Sequence, residues 1–266
     1  MTYLRADNIT HATELIDANP TFTLLHGGSD LAIKIKSGSI EGIIDISHLQ
    51  ELEYIKKNGD ILEIGALTSI NAILNDAQVI EHLPFLTEAC KSFASHQIRN
   101  IASLGGNIGN DSPVADLIAP LLVLRAEVVL ASTKGKRTIP IHELFQGFKK
   151  LNLNRELIDS FKIPLLEHKY YYKKVGARAN LNISKVSLAM VHNRDGYFLS
   201  GASVNPYVMR FRHSEELLNS NDFSKVSLQE TLAKDIDPSG SFRSTKEYRS
   251  SVLLNMILEA LESYKG

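Results

Sequence analysis

The chain has 266 residues, 44% apolar and 22% charged, and its 29 basic and 30 acidic side chains leave a net charge of −1. That composition supplies sizeable cores and argues against disorder, and without a basic excess a nucleic-acid partner is disfavoured. The lone cysteine, Cys90, excludes an internal disulfide and any iron–sulfur or zinc site built by this chain alone; no apolar run nears the ~18 residues of a membrane span, and the start lacks a leader pattern, so a cytoplasmic protein with no membrane contact is expected.

In chain order, residues 10–18 read as a helix with Thr10 at its cap, and 21–25 as a short buried strand. A glycine turn follows, Leu24-Leu25-His26-Gly27-Gly28-Ser29-Asp30, and Ser29 or Asp30 is placed to cap a helix over 31–36 that Gly38 ends. Residues 42–46 form a second strand, and two strands joined by a helix favour parallel pairing. Asn58-Gly59 between 53–57 and 60–64 marks a hairpin. Thr68-Ser69 caps a helix over 70–75, and 83–95 is a longer helix with Pro84 in its first turn and Cys90 as a buried thiol.

A second glycine turn, Ser103-Leu104-Gly105-Gly106-Asn107, precedes Ser112-Pro113-Val114-Ala115-Asp116 and a helical run over 116–124, where Pro120 fits poorly. Residues 127–131 and 136–141 pair about Gly135, and 156–163 is a strand ended by Pro164. Beyond residue 167 the character changes. A strand over 169–174 carries three tyrosines, and 185–192 pairs with 197–204 across Asn193-Arg194-Asp195-Gly196. A short helix spans 212–219, and 220–243 is polar and mixed. Ser244-Thr245-Lys246-Glu247 has the capping-box pattern and opens a last helix with Tyr248, Val252, Leu253, Met256, Ile257 and Leu261 on one stripe, read as core. The whole is α+β: a βαβ start, a mixed sheet, then a hairpin-and-helix domain.

The chemistry concentrates in the glycine turns. Glycine tolerates positive φ and lets backbone amides approach a ligand, and successive N–H groups make an anion pocket. One turn suits one phosphate; two turns from distant parts of the chain suit the diphosphate of a dinucleotide. The pattern is neither G-x-G-x-x-G nor a P-loop. In the second turn, Ser103 offers a hydroxyl, Gly105 and Gly106 offer amides, and Asn107 offers donor and acceptor, while Asp116 can accept from ribose hydroxyls or cap a helix. The histidines lack metal-ligand spacing, so His26 and His96 read as hydrogen-bonded structural residues. Glu215-Glu216 reads as a polar helix face and Lys173-Lys174 as solvated.

Taken together, Ala94-Ser95-His96-Gln97-Ile98-Arg99-Asn100, Ala102-Ser103-Leu104-Gly105-Gly106-Asn107-Ile108, Ser112-Pro113 and Asp116 resemble the FAD-binding medium subunit of the molybdenum hydroxylases, the family of xanthine, carbon monoxide and nicotinate dehydrogenases. Residues 25–31 are similar to its first pyrophosphate loop, Glu63-Ile64-Gly65-Ala66 to the strand entering its second subdomain, and Lys174, Arg178 and 200–204 to its C-terminal domain. The resemblance implies a vanillyl-alcohol-oxidase-type (PCMH-type) FAD-binding fold: two α/β subdomains, 1–52 and 53–166, plus a C-terminal α+β domain, 167–266. It implies FAD held by Leu25, His26, Gly27, Gly28, Ser29 and Asp30 on one side and Ser103, Gly106 and Asn107 on the other. Phe93 and Ile98 would lie on apolar parts of the cofactor, Asp116 on ribose, and Ile158 and Lys174 near the flavin.

The implied function is oxidoreductase electron transfer, from [2Fe-2S] clusters in a small subunit, through FAD, to NAD⁺ or another acceptor. A large molybdopterin-binding subunit would oxidise the substrate, and no catalytic acid, base or metal ligand is expected in this chain. The alternatives are a stand-alone flavoprotein reductase or oxidase of the same fold, and a cofactor-free scaffold subunit. Three features depart from the family pattern. His26 and Ser29 stand where the first loop usually has alanine and threonine, Val208-Met209-Arg210 lacks a usual proline, and the chain is somewhat short.

Overall fold

The computed structural model describes residues 1–177, 183–241 and 244–265; Arg178 lies outside them. The first sheet uses β1 (Thr2–Arg5), β2 (Thr23–Leu25) and β3 (Gly42–Asp45), in the order β1-β3-β2 with parallel pairing. Helices α1 (Ile9–Ala18) and α2 (Leu31–Lys36) make the crossovers. The strand β1 has no sequence signature, because it is largely exposed and so shows no apolar alternation. Asn8, rather than Thr10, caps α1 and accepts from the His11 amide at 2.9 Å. Being an edge strand, β2 is half-buried rather than buried. Ala6, Ala12, Ile44, Ile46, Leu49 and Leu52 form the core here, and Leu67, Ala131 and Leu157 join it from the next sheet.

That next sheet holds β4 (Ile55–Asn58), β5 (Ile61–Gly65), β6 (Glu127–Ser132), β7 (Gly135–Pro140) and β8 (Leu157–Pro164), in the order β4-β5-β8-β6-β7. Every pairing is antiparallel, not mixed, because β8 inserts between the two hairpins and runs against both. Six helices cross between β5 and β6: α3 (Ile70–Asn75), α4 (Ala77–His82), α5 (Pro84–Ser92), α6 (His96–Ile101), α7 (Leu104–Gly109) and α8 (Ile118–Val123). The helix expected to reach residue 95 stops at Ser92, since Phe93 is extended and Ala94 takes a φ of +38°. Ser95 then caps α6. Pro120 sits in the first turn of α8, where its missing N–H costs no helix bond. Cys90 is buried, and burial pushes its thiol up to about 12.

The third sheet, β9 (Lys169–Val175), β10 (Val186–Asn193) and β11 (Gly196–Ser200), is antiparallel in the order β11-β10-β9. Its central strand, β10, is buried on both faces. Val186, Leu188 and Met190 pack with Leu253, Met256 and Ile257, while Ala189 and Val191 turn to the core of the five-stranded sheet. Two-sided burial is why β10 reads as a continuous apolar run. The helices are α9 (Arg212–Asn219), α10 (Lys225–Asp235) and α11 (Lys246–Ser263). The polar stretch hides α10, which opens on a reciprocal Ser224–Ser227 capping box and buries little beyond Leu228 and Leu232. Thr245, not Ser244, caps α11. The α11 stripe is core at Leu253, Met256, Ile257 and Leu261, whereas Tyr248 is exposed. Among the described residues no helix is long and apolar enough to cross a membrane.

Glu215 corrects the sequence reading of a solvated pair. It is buried, takes both hydrogen bonds of the Arg210 fork at 2.8 and 2.6 Å, and accepts from the Leu199 amide at 2.8 Å. Arg210 in turn lies over the Phe198 ring, 4.6 Å from its centroid, and Arg125 lies over the same ring at 4.9 Å. Glu215→Ala would leave Arg210 buried without its carboxylate, and breaking such a pair costs about 3–5 kcal/mol. Urea unfolding should show that loss, whereas Glu216→Ala should change stability by less than about 0.5 kcal/mol.

Candidate functional site

The first loop leaves β2 at Leu25, whose carbonyl is held by the Ile46 amide at 2.9 Å. From there the chain turns through His26, Gly27, Gly28 and Ser29 to Asp30. The amides of Gly27, Gly28, Ser29 and Asp30 donate to no group of the chain among the described residues. Four successive free N–H groups form an anion-binding concavity of the nest kind. Gly28 adopts a φ of +64°, which glycine reaches without strain. Ser29 and Asp30 are exposed, and Asp30, at the cap position of α2, makes no side-chain bond to that helix.

The two loops touch. A Cβ built on Gly27 would lie 1.7 Å from the carbonyl oxygen of Ile101, so only glycine allows the approach. The second loop is itself stitched to the β5–α3 turn: Leu104 donates to the Thr68 carbonyl at 3.1 Å, Gly105 to Ala66 at 2.8 Å, and Ile70 to Ala102 at 2.9 Å. The Gly105 amide is therefore spent inside the protein, contrary to its sequence reading as a free donor. Ser103 is buried and caps α7, accepting from the Gly106 amide at 3.2 Å. Since its oxygen accepts there, its O–H proton stays free to donate. Gly106 is exposed, and Asn107 uses Oδ1 on the Leu117 amide at 3.3 Å, which leaves its amide NH₂ free.

Asp116 is no helix cap. It is buried and is met by Lys174, whose Nζ donates to Asp116 Oδ2 at 2.8 Å and to the Ser92 carbonyl at 3.0 Å. Lys174 is thus not solvated: its side chain is 5% exposed, and that of Asp116 is 10%. The second Asp116 oxygen, Oδ1, is buried and has no partner. Burial holds the Asp116 carboxyl above the usual range, and Lys174 pulls the other way. Phe93 and Ile98 are partly buried against the main core, and Ile158 sits beside the register shift in β8, its Cδ1 3.7 Å from a Cβ built on Gly109.

The structure packs Gly27 of the first loop against Ile101 and Ala102, and ties Asp116 to Lys174. Asn107, through Leu117, joins the second loop to the segment that carries Asp116. Sequence reading missed Tyr172, whose hydroxyl lies 3.1 Å from Ser92 Oγ and is held above its ordinary range by burial and then by Asp116. It also missed Arg99, which donates to the Phe93 carbonyl at 2.8 Å and so ties α6 back to the turn before it. Neither had a local signal, since both act through residues distant in sequence or through a carbonyl. His26, read as a hydrogen-bonded structural histidine, has a buried Nδ1 with no partner. Among the described residues no His, Cys, Asp and Glu cluster could hold a metal ion.

The family described as FAD binding domain in molybdopterin dehydrogenase matches residues 1–166. The chain is 31% identical to the xanthine dehydrogenase FAD-binding subunit of Escherichia coli O157:H7, over 96% of this chain and 92% of that one. It is 28% identical to the glyceraldehyde dehydrogenase medium chain of Sulfolobus acidocaldarius, over 98% and 96%. A solved carbon monoxide dehydrogenase from Hydrogenophaga pseudoflava superposes with a TM-score of 0.92 at 25% identity, covering 98% of this chain and 96% of that one. The fold is thus the PCMH-type FAD-binding fold, within an α+β chain. The chain belongs to the FAD-binding subunits of the molybdenum hydroxylases, an oxidoreductase family.

Proposed function

We propose that this chain holds FAD between its two loops as the electron-transfer subunit of a molybdopterin-dependent hydroxylase or dehydrogenase. Electrons would arrive from [2Fe-2S] clusters in a small partner subunit and leave for NAD⁺ or another acceptor, while a large molybdopterin subunit oxidises the substrate. The observation that carries the reading is the run of four free amides from Gly27 to Asp30, with Gly27 packed against the backbone of Ile101 and Ala102. When bound, FAD supplies both one- and two-electron chemistry.

The chain's own residues would bind and orient it. Leu25 and the amides of Gly27, Gly28, Ser29 and Asp30 would hold one side of the diphosphate. The Ser103 hydroxyl, Gly106 and the Asn107 side-chain amide would hold the other. The partnerless oxygen of Asp116 would accept from a ribose hydroxyl, with Lys174 fixing the carboxylate. Phe93, Ile98 and Ile158 would exclude water. Residues 1–52 and 53–166 would be the lobes of the cleft and 167–266 a buttress, a division that the three hydrophobic clusters support. The relatives' names, an FAD-binding subunit and a medium chain, support assembly with further subunits.

Expressed with its neighbours in a complex, the chain should co-elute with a molybdopterin protein and an iron–sulfur protein. Isolation as a fully active oxidase on its own would contradict the partner assignment. Gly106→Val, which projects a branched side chain from an exposed position in the first turn of α7, should lower the flavin absorbance of the purified chain. Full yellow absorbance in that variant would remove Gly106 from the site.

A further inference from the structure

His26 sits where the two loops meet, one residue before the glycine whose backbone touches Ile101. Its ring is half-buried, and Nδ1 is shut away from solvent without a hydrogen-bond partner. A neutral imidazole bears that condition more easily than a cation does, and burial accordingly holds its pKa below the ordinary value. The charged groups that face the ring are Glu53, before β4, and Asp45, at the end of β3; both favour the cation but are outweighed by burial. Asp45 is in turn occupied by the Tyr3 hydroxyl and by the Ser47 amide at 2.8 Å. An anion held by the free amides of Gly27 to Asp30 brings negative charge to the residues that directly follow His26 in the chain.

We propose that binding of the FAD diphosphate takes up a proton at His26, so that the imidazolium becomes a side-chain ligand of the diphosphate and cofactor retention depends on pH. The inference rests on the FAD reading above. The sign follows from linkage: a group that gains affinity for its proton on binding makes the ligand bind more tightly as pH falls through the bound-state pKa. The gain levels off below the free-state pKa and vanishes above the bound-state one. An opposite charge within about 4–6 Å raises such a pKa by about 1–3 units, so affinity should be about five- to tenfold higher at pH 6 than at pH 8.

The test titrates the flavin-free full-length chain with FAD by calorimetry, in buffers of differing ionisation enthalpy, from pH 5.5 to 8.5. The native chain should take up a fraction of a proton near pH 6.5. His26→Ala and His26→Gln should bind FAD with that uptake abolished and with a pH 6 to pH 8 affinity ratio within about twofold of unity. Far-UV circular dichroism checks that both variants fold. FAD binding with proton uptake unchanged in both variants, or with none in the native chain, overturns the role of His26 and leaves the FAD reading standing. No FAD binding by the native chain at any pH overturns both.

Discussion

Gly27→Ala is expected to weaken FAD binding by about ten- to a hundredfold. The added methyl would overlap the Ile101 carbonyl oxygen, 1.7 Å from the built Cβ, and that atom is backbone, not a side chain that can swing aside. The loops must part, and with them the donors on either side of the cleft. Losing a hydrogen bond to a charged group costs about 1.5–3 kcal/mol, the tenfold-or-greater loss given above. Flavin content of the purified variant and fluorescence titration of the flavin-free protein measure it, with far-UV circular dichroism reporting the folded fraction. Native affinity in a folded Gly27→Ala protein would show that the cofactor does not depend on this contact.

Asp116→Ala should both destabilise the chain and strip its flavin. Lys174 would stay buried, with only the Ser92 carbonyl for company. Leaving a buried charge unpaired costs about 3–5 kcal/mol, a fall of roughly 10 °C in Tm for a chain of this size. The double variant Asp116→Ala with Lys174→Met removes the stranded charge and should recover most of the stability. It should not recover the flavin, because the oxygen proposed to meet the ribose is still missing. A double variant as rich in flavin as the native chain would reduce Asp116 to a structural partner of Lys174.

Local patterns in the chain are legible in the sequence, whereas contacts between distant residues are supplied only by the fold. The glycine turns, the Asn58-Gly59 hairpin and the apolar run of β10 are local patterns, and each appears where those patterns predict. The contact between Gly27 and Ile101 was not legible, because it joins residues more than seventy positions apart through backbone atoms. Lys174 and Glu215 misled for a related reason. A charged residue in a strand or helix looks solvated until its partner, Asp116 or Arg210, is brought to it by another element. The α7 turn read as a string of free donors, yet tertiary bonds to Ala66 and Thr68 consume part of that string. α10 was lost because its capping box lies in polar sequence and its buried apolar residues are just Leu228 and Leu232.

The structure of the full chain with bound FAD measures the central proposal most directly. Diphosphate oxygens should lie within hydrogen-bond distance of the Gly27–Ser29 amides on one side and of Ser103 and Asn107 on the other, with a ribose hydroxyl on Asp116 Oδ1. Flavin density elsewhere in the molecule, or both loops empty under saturating FAD, would contradict it.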